Sequence, residues 1–266
     1  MHGLGNDFVI FDCLTNSMQL SETQVRSISN RREGIGCDQI GIINPPKSEN
    51  ADCFMPIYNA DGGEVGACGN ITRCVASYLM KTLNKEIVRI ETIEDVLECS
   101  MADNGDIKVN MGIPKTSWKE IPLSKEMDTL NMDFQTGGFK NPVCVNVGNP
   151  HCIFIEDDLD NIDLEKNGNY VEHHDLFPDR TNVEFIKILD RNTIRMKVWE
   201  RGTGITKACG TGACASFVAA HRRGLVDNEA KLILDGGELE ISINPETGHI
   251  YMSGSATYVF EGDINL

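Results

Sequence analysis

Two hundred and sixty-six residues, 41% apolar and 24% charged, make one large domain or two of ordinary size, with enough apolar mass for a real core. The 24 Lys and Arg against 40 Asp and Glu leave a formal charge of −16, which argues against nucleic acid or anionic membrane as the main partner, since both need a cationic footprint. No window approaches the about 18 uncharged apolar residues of a membrane span, and the N-terminus lacks a basic stretch and has Asp7 and Asp12 in its apolar run, so it does not read as a signal peptide and a cytoplasmic location is expected.

In chain order, the first element is a strand at Phe8–Asp12, followed by a helix opened by the capping box Ser21-Glu22-Thr23-Gln24. A strand at Cys53–Tyr58 precedes a second helix, on which Val75, Tyr78, Leu79 and Leu83 share a face. Strands follow at Ile87–Thr92, Asp106–Met111, Val143–Val147 and Cys152–Ile155, and then a weaker helix, Asp163–Glu172, with Gly168 inside it. Strands at Val183–Leu189 and Thr193–Trp199 lead to a fourth helix, with Cys214, Phe217, Val218 and His221 on one face and Arg222-Arg223-Gly224 as its stop. Ala230–Leu234, Glu238–Ile243 and Thr257–Phe260 complete the strands.

The pattern is α+β, and it is doubled. Ala67-Cys68-Gly69-Asn70 precedes the second helix and Ala208-Cys209-Gly210-Thr211 the fourth, with 209 − 68 = 141. Tyr58-Asn59 and Trp199-Glu200 repeat at 200 − 59 = 141, while Gly5-Asn6 and Gly148-Asn149, and likewise Gln39 and Asn182, repeat at 143 (148 − 5 and 182 − 39). Four matches in one order predict two copies of one unit, with a boundary near Ile113-Pro114. The domains expected are 1–113 and 114–254.

Ten cysteines in a reducing compartment, none in a C-x-x-C, argue against structural disulfides and zinc knuckles. Most are expected to be buried, Cys74 and Cys214 among them. Cys68 and Cys209 differ because each stands at a helix start, where unpaired N–H groups and the positive dipole end favour a thiolate and bind anions. The Gly after each lets a ligand approach the backbone.

Two such sulfurs approaching one carbon from opposite sides suit the inversion of a carbon acid. One removes the proton, the other returns one, and backbone N–H groups stabilise the carboxylate as charge develops. This scheme needs no cofactor. Glu200 can hold an ammonium and Arg201 a carboxylate, while Asn6, Gln39, Asn59, Asn149 and Asn182 supply neutral hydrogen bonds. Oxidation would link Cys68 to Cys209 if closure brings them within range. Such closure should accompany ligand binding, because a carbanion needs water excluded.

Met1-His2-Gly3-Leu4-Gly5-Asn6-Asp7-Phe8, Gly34-Ile35-Gly36-Cys37-Asp38-Gln39, and the segment from Asn59-Ala60-Asp61-Gly62 through Ala67-Cys68-Gly69-Asn70 resemble, in order, motifs of the diaminopimelate epimerases. So do Gly148-Asn149-Pro150-His151, Arg180-Thr181-Asn182-Val183-Glu184-Phe185, and Glu200-Arg201-Gly202 through Ala208-Cys209-Gly210-Thr211-Gly212-Ala213. The resemblance covers nearly the whole chain. It implies a pyridoxal-independent epimerase interconverting LL- and meso-diaminopimelate in lysine and cell-wall precursor synthesis, with Cys68 and Cys209 as acid/base pair. It further implies substrate contacts at Asn6, Gln39, Asn59, Asn149, Asn182, Glu200 and Arg201 and at the backbone of Gly69, Asn70, Gly210 and Thr211. Two similar pseudo-symmetric domains, each a mostly antiparallel sheet around a central helix, would close over the substrate, with about 255–266 returning to the first. A homodimer is also implied by the family.

Three departures stand out. Ile71 occupies a position where the family usually has Gly, so a positive φ there would be strained. Gly63 replaces a usual Ser, and the chain opens at its Met-His-Gly motif where relatives carry a few earlier residues of a first strand. A proline racemase or hydroxyproline epimerase on the same scaffold is the nearest alternative; a thiol redox or metal-binding module, or a non-catalytic binding relative, is more distant. His151 reads equally as a structural histidine or as a tuner of a cysteine. No metal is expected at His173-His174, since adjacent side chains rarely face one ion, and Lys207 is read as a loop lysine, not a pyridoxal anchor.

Overall fold

The computed structural model describes residues 1–66 and 68–265. The chain divides into two compact units, Met1–Asn110 with Ser253–Leu266, and Met111–Met252.

Unit one contains β1 (His2–Gly3), β2 (Asn6–Asp12), α1 (Glu22–Ser29), β3 (Gln39–Ile43), β4 (Cys53–Phe54), β5 (Ile57–Asn59), β6 (Glu64–Val65), α2 (Gly69–Leu83), β7 (Ile87–Glu91), β8 (Val96–Met101) and β9 (Ile107–Asn110). β1-β2-β3-β5-β6 form one sheet, and β4, β7, β8 and β9 are hydrogen-bonded in that order. The expected capping box starts α1: the Ser21 hydroxyl accepts from the Gln24 N–H at 3.3 Å, and Gln24 Oε1 accepts from the Ser21 N–H at 3.0 Å. α1 is the crossover that lets β2 and β3 run parallel. It buries Val25 and Ile28 against Ile40 and Ile42 of β3. α2 covers β1, β7 and β9 and ends on Asn84, left-handed at φ 51.

Unit two contains β10 (Gln135–Thr136), β11 (Phe139–Lys140), β12 (Val143–Asn146), β13 (Pro150–Ile155), α3 (Leu164–Glu172), β14 (Asn182–Asp190), β15 (Thr193–Glu200), β16 (Gly204–Thr206), α4 (Gly210–Arg222), β17 (Glu229–Leu234) and β18 (Gly237–Ile243); β19 (Ile250–Gly254) carries the chain across the boundary. The sheet order is β12-β13-β14-β15-β17-β18, with β16 beside β15. Side chains alternate across it. Cys152, Phe154, Val183 and Phe185 pack with Leu164 and Val171 of α3. On the other face, the Ser216 hydroxyl of α4 meets the Met196 sulfur at 3.2 Å.

The two units repeat one order of elements. β2-α1-β3-β5-β6-α2-β7-β8-β9 matches β13-α3-β14-β15-β16-α4-β17-β18-β19, each with a parallel first pair and an antiparallel next one. The fold is α+β, mostly sheet, with α2 and α4 as the helices that open on the two repeated cysteines. Among the described residues, no helix is long and apolar enough to cross a membrane.

Several elements depart from the sequence reading. Thr257–Phe260 is not a strand: Thr257 forms a single bridge to His2, and Val259 and Phe260 are exposed. Cys53–Tyr58 is two short strands broken at Met55-Pro56, because Pro lacks the N–H that a ladder needs. β3, β8 and β19 fall outside the expected strands, as do the two- and three-residue strands β1, β6, β10, β11 and β16. β3 is covered on both faces, so its Ile40-Gly41-Ile42-Ile43 run shows no alternation to read.

Candidate active site

Each repeated cysteine is the residue on which a helix begins. Cys68 (φ −151, ψ 115) precedes Gly69 of α2, and Cys209 (φ −126, ψ 113) precedes Gly210 of α4. Both have extended backbones, as an N-cap requires, and the first-turn N–H groups follow directly. Cys68 is half-buried, whereas Cys209 is buried. The Cys209 sulfur accepts the Gly212 N–H at 3.3 Å and lies 3.4 Å from the Thr211 hydroxyl.

Ile71 resolves its apparent conflict with the family pattern. It sits in the first turn of α2 and is not among the residues with positive φ, so the strain expected there is absent. Its side chain is wholly buried and occupies the space that Gly41 of β3 leaves open, where a Cβ would stand 2.6 Å from Ile71 Cδ1.

In unit one, strand registry gathers the polar candidates. Gln39 opens β3 opposite Asn59, the last residue of β5, and Asn6 opens β2. Gln39 Nε2 donates to Asn59 Oδ1 at 2.9 Å, and Asn70 Nδ2 donates to Asn6 Oδ1 at 3.4 Å. Gln39 Oε1 is buried and has no hydrogen-bond partner among the described residues, an acceptor at the strand end. A cluster that the sequence reading missed backs this group. Arg31 bridges both oxygens of Asp7 and Asp38 Oδ1 at 2.7 Å each, and Asp38 Oδ2 accepts from Asn6 Nδ2 at 2.9 Å. The Arg31 guanidinium holds the Asp7 carboxyl below its ordinary range.

In unit two, Asn149 precedes β13, Asn182 opens β14 and Glu200 closes β15. Asn182 uses both ends of its amide within the unit: Nδ2 donates to the Pro150 carbonyl and Oδ1 accepts the Arg201 N–H, each at 2.9 Å. It therefore shapes the turn that carries Arg201. The Arg201 guanidinium is exposed and donates to the Asp179 carbonyl at 3.0 Å. Glu172, also unanticipated and buried, accepts from Trp199 Nε1 at 2.7 Å and from the Gly202 N–H at 2.9 Å, fixing the Glu200-Arg201 turn from behind.

His151 is fully buried, with Nδ1 2.7 Å from Glu184 Oε1 and Nε2 2.8 Å from Asn149 Oδ1. Burial pushes the Cys209 thiol well up, and the Glu200 and Glu184 carboxylates push it further. Burial likewise raises Glu200, with hydrogen bonds from the Thr206 hydroxyl and the Cys209 thiol drawing it back. Outside this group, His173 Nδ1 meets its own helix at the Asn169 carbonyl, and His174 Nδ1 accepts the Leu176 N–H, so the adjacent histidines serve separate partners. The Lys207 side chain is exposed.

Gly212 has no room for a side chain. A Cβ there would stand 2.8 Å from Glu184 Oε1 and 3.2 Å from the Cys209 sulfur. Gly212→Ala is expected to lower turnover at least about tenfold by displacing one of the two, because misplacements of this size cost up to about 10²-fold. Steady-state kinetics beside a melting curve would check this; unchanged kcat would show that the sulfur needs no fixed place.

A family model described as diaminopimelate epimerase matches residues 1–117 and 143–259. The diaminopimelate epimerase of Zymomonas mobilis is 48% identical over 263 residues, covering 99% of this chain and 95% of its own. That of Rhodospirillum centenum is 44% identical over 265 residues, covering 100% and 91%. Among solved structures, a Bacillus anthracis phenazine biosynthesis protein of the PhzF family superposes with a TM-score of 0.67 at 18% identity, covering 100% of this chain and 95% of its own. A hydroxyproline epimerase from Agrobacterium vitis does so with a TM-score of 0.67 at 13% identity, covering 98% and 89%. Both structures share the fold.

Proposed function

Because this chain belongs to the diaminopimelate epimerase family, whose members are isomerases, we propose that it interconverts LL- and meso-diaminopimelate with a thiolate/thiol pair and no cofactor. The observation that carries the mechanism is the repeated Cys-Gly at the starts of α2 and α4. One sulfur, as thiolate, takes the α-proton and becomes a thiol. The electron pair left on carbon delocalises into the α-carboxylate, and the other thiol delivers its proton to the opposite face and becomes the thiolate. The first-turn N–H groups of Gly69, Asn70, Gly210 and Thr211 receive the carboxylate as its charge grows.

Asn6, Gln39, Asn59 and Asn149 bind the ligand's polar ends in this reading. Glu200 holds an ammonium, and the exposed Arg201 fork takes the distal carboxylate. Asn182 contributes through the turn it anchors as well as by contact. The product serves lysine and cell-wall precursor synthesis, and the enzyme works in the cytoplasm as a homodimer.

Incubation with LL-diaminopimelate in D2O is expected to give meso product carrying deuterium at the inverted carbon, while L-proline and trans-4-hydroxy-L-proline remain unexchanged. Absence of both deuterium and meso product would refute the proposal, and turnover of proline instead would move the chain to the racemase alternative.

A further inference from the structure

The face of the unit-two sheet beneath α4 should be aliphatic throughout, and three side chains break that rule. Alternation and registry settle which residues point to α4. Met196, touched by Ser216, pairs with Ile186, and its row continues through Val198, paired with Glu184, to Glu200. Glu184 aligns in turn with Ile153, and His151 lies two residues before it on the same face. β12 brings Val143 and Val145 to this face, and β17 and β18 bring Leu232 and Leu239. Among the described residues, the ionisable groups facing the start of α4 are therefore His151 from β13, Glu184 from β14 and Glu200 from β15.

Glu184 is the unexpected one. It is wholly buried, and its Oε2 has no hydrogen-bond partner among the described residues. Neutral glutamine or an aliphatic residue would cost less in such a row. Its Oε1 does two things at once. It receives His151 Nδ1 at 2.7 Å, and it crowds the first turn of α4, where it and the Cys209 sulfur both lie within 3.2 Å of the point a Gly212 Cβ would occupy. With Nδ1 on Glu184 Oε1 and Nε2 2.8 Å from Asn149 Oδ1, the His151 ring is held at both nitrogens. A negative charge this near a sulfur penalises the thiolate.

We propose that Glu184 is a positioning residue for Cys209: it anchors the His151 ring and sets its own charge against the sulfur, so that Cys209 rests as the proton-carrying thiol. The inference rests on Cys209 being one of the two acid/base groups. Glu200 adds a second charge of the same sign. In this arrangement the Cys209 proton is retained until a carbanion forms on the ligand. Glu184 acts through the sulfur and the imidazole and touches no substrate.

The test is the pH dependence of Cys209 alkylation by iodoacetamide, read peptide by peptide in wild type and in the near-isosteric Glu184→Gln. Removing the charge should lower the midpoint by about one pH unit, so that Cys209 alkylates about tenfold faster at a fixed pH below it. The alkaline limb of kcat/KM should move in the same direction. A midpoint unmoved or raised overturns the proposal. Should Glu184→Gln not fold, Glu184→Met carries the same test, with the same fall expected and an unmoved or raised midpoint again overturning the proposal. Wild-type exchange of diaminopimelate in D2O is run alongside. Exchange with an unmoved midpoint rejects the role of Glu184 alone, and a lowered midpoint without exchange rejects the enzymatic reading alone.

Discussion

Cys209→Ala is expected to lower epimerisation by about 10²–10⁴-fold while the protein stays folded, the range that loss of a positioned proton-transfer group produces. The sulfur caps α4 by accepting the Gly212 N–H at 3.3 Å, so alanine costs about 1 kcal/mol of helix stability, too little to unfold a domain. Cys68→Ala should be equally inactive. The informative difference lies between isomers. With one sulfur left, a substrate presenting its α-hydrogen to that sulfur can lose and regain it on one face, which exchanges deuterium without inverting the carbon. Each mutant should therefore label one isomer in D2O and spare the other, with the preferences reversed between the two mutants. Deuterium NMR combined with chiral chromatography reads both. Inversion surviving in either mutant would remove the two-base mechanism.

Arg73→Met is expected to destabilise unit one by about 3 kcal/mol, because a wholly buried guanidinium leaves behind acceptors that water cannot reach. Arg73 Nη2 donates to Asn70 Oδ1 at 2.9 Å and Nε to the Ser255 carbonyl at 3.4 Å. The same guanidinium lies 3.2 Å from where a Gly3 Cβ would stand. It thus ties the first turn of α2 to β1 and to the segment that rejoins unit one after β19. Methionine fills much of the volume and satisfies none of the acceptors. Urea unfolding followed by far-ultraviolet circular dichroism measures the loss, and a change under 1 kcal/mol would mean that the acceptors find other partners. Activity should fall as well, since Asn70 would lose the bond that orients its amide.

The doubled architecture was legible because its markers are local. Cys-Gly at a helix start and a polar residue at a strand end recur in order, and the structure puts Gln39 and Asn182 at the openings of β3 and β14 and Asn59 and Glu200 at the closings of β5 and β15. What stayed hidden depends on contacts far apart in sequence. Arg31 looks like any surface arginine until Asp7 and Asp38 are seen beside it. Glu172 ends an amphipathic helix as an ordinary polar residue until Trp199 turns its indole toward it. Glu184 did leave a trace: β14 is apolar on both faces around it, and a lone carboxylate in such a strand has to be held by something. The apparent strand at Thr257–Phe260 shows the reverse error, since β-branched and aromatic residues raise strand propensity even where no neighbour offers a ladder.

Trp199 packs against Gly168 of α3, where a Cβ would stand 2.5 Å from the indole Cγ, and both of the chain's tryptophans, Trp118 and Trp199, rest on the α3-side core of unit two. Intrinsic emission from this protein is therefore a thermometer for one half of the molecule. A lesion such as Arg73→Met in unit one has no tryptophan of its own unit to report it. A ligand that disturbs the turn after β15 will shift the same trace without any unfolding.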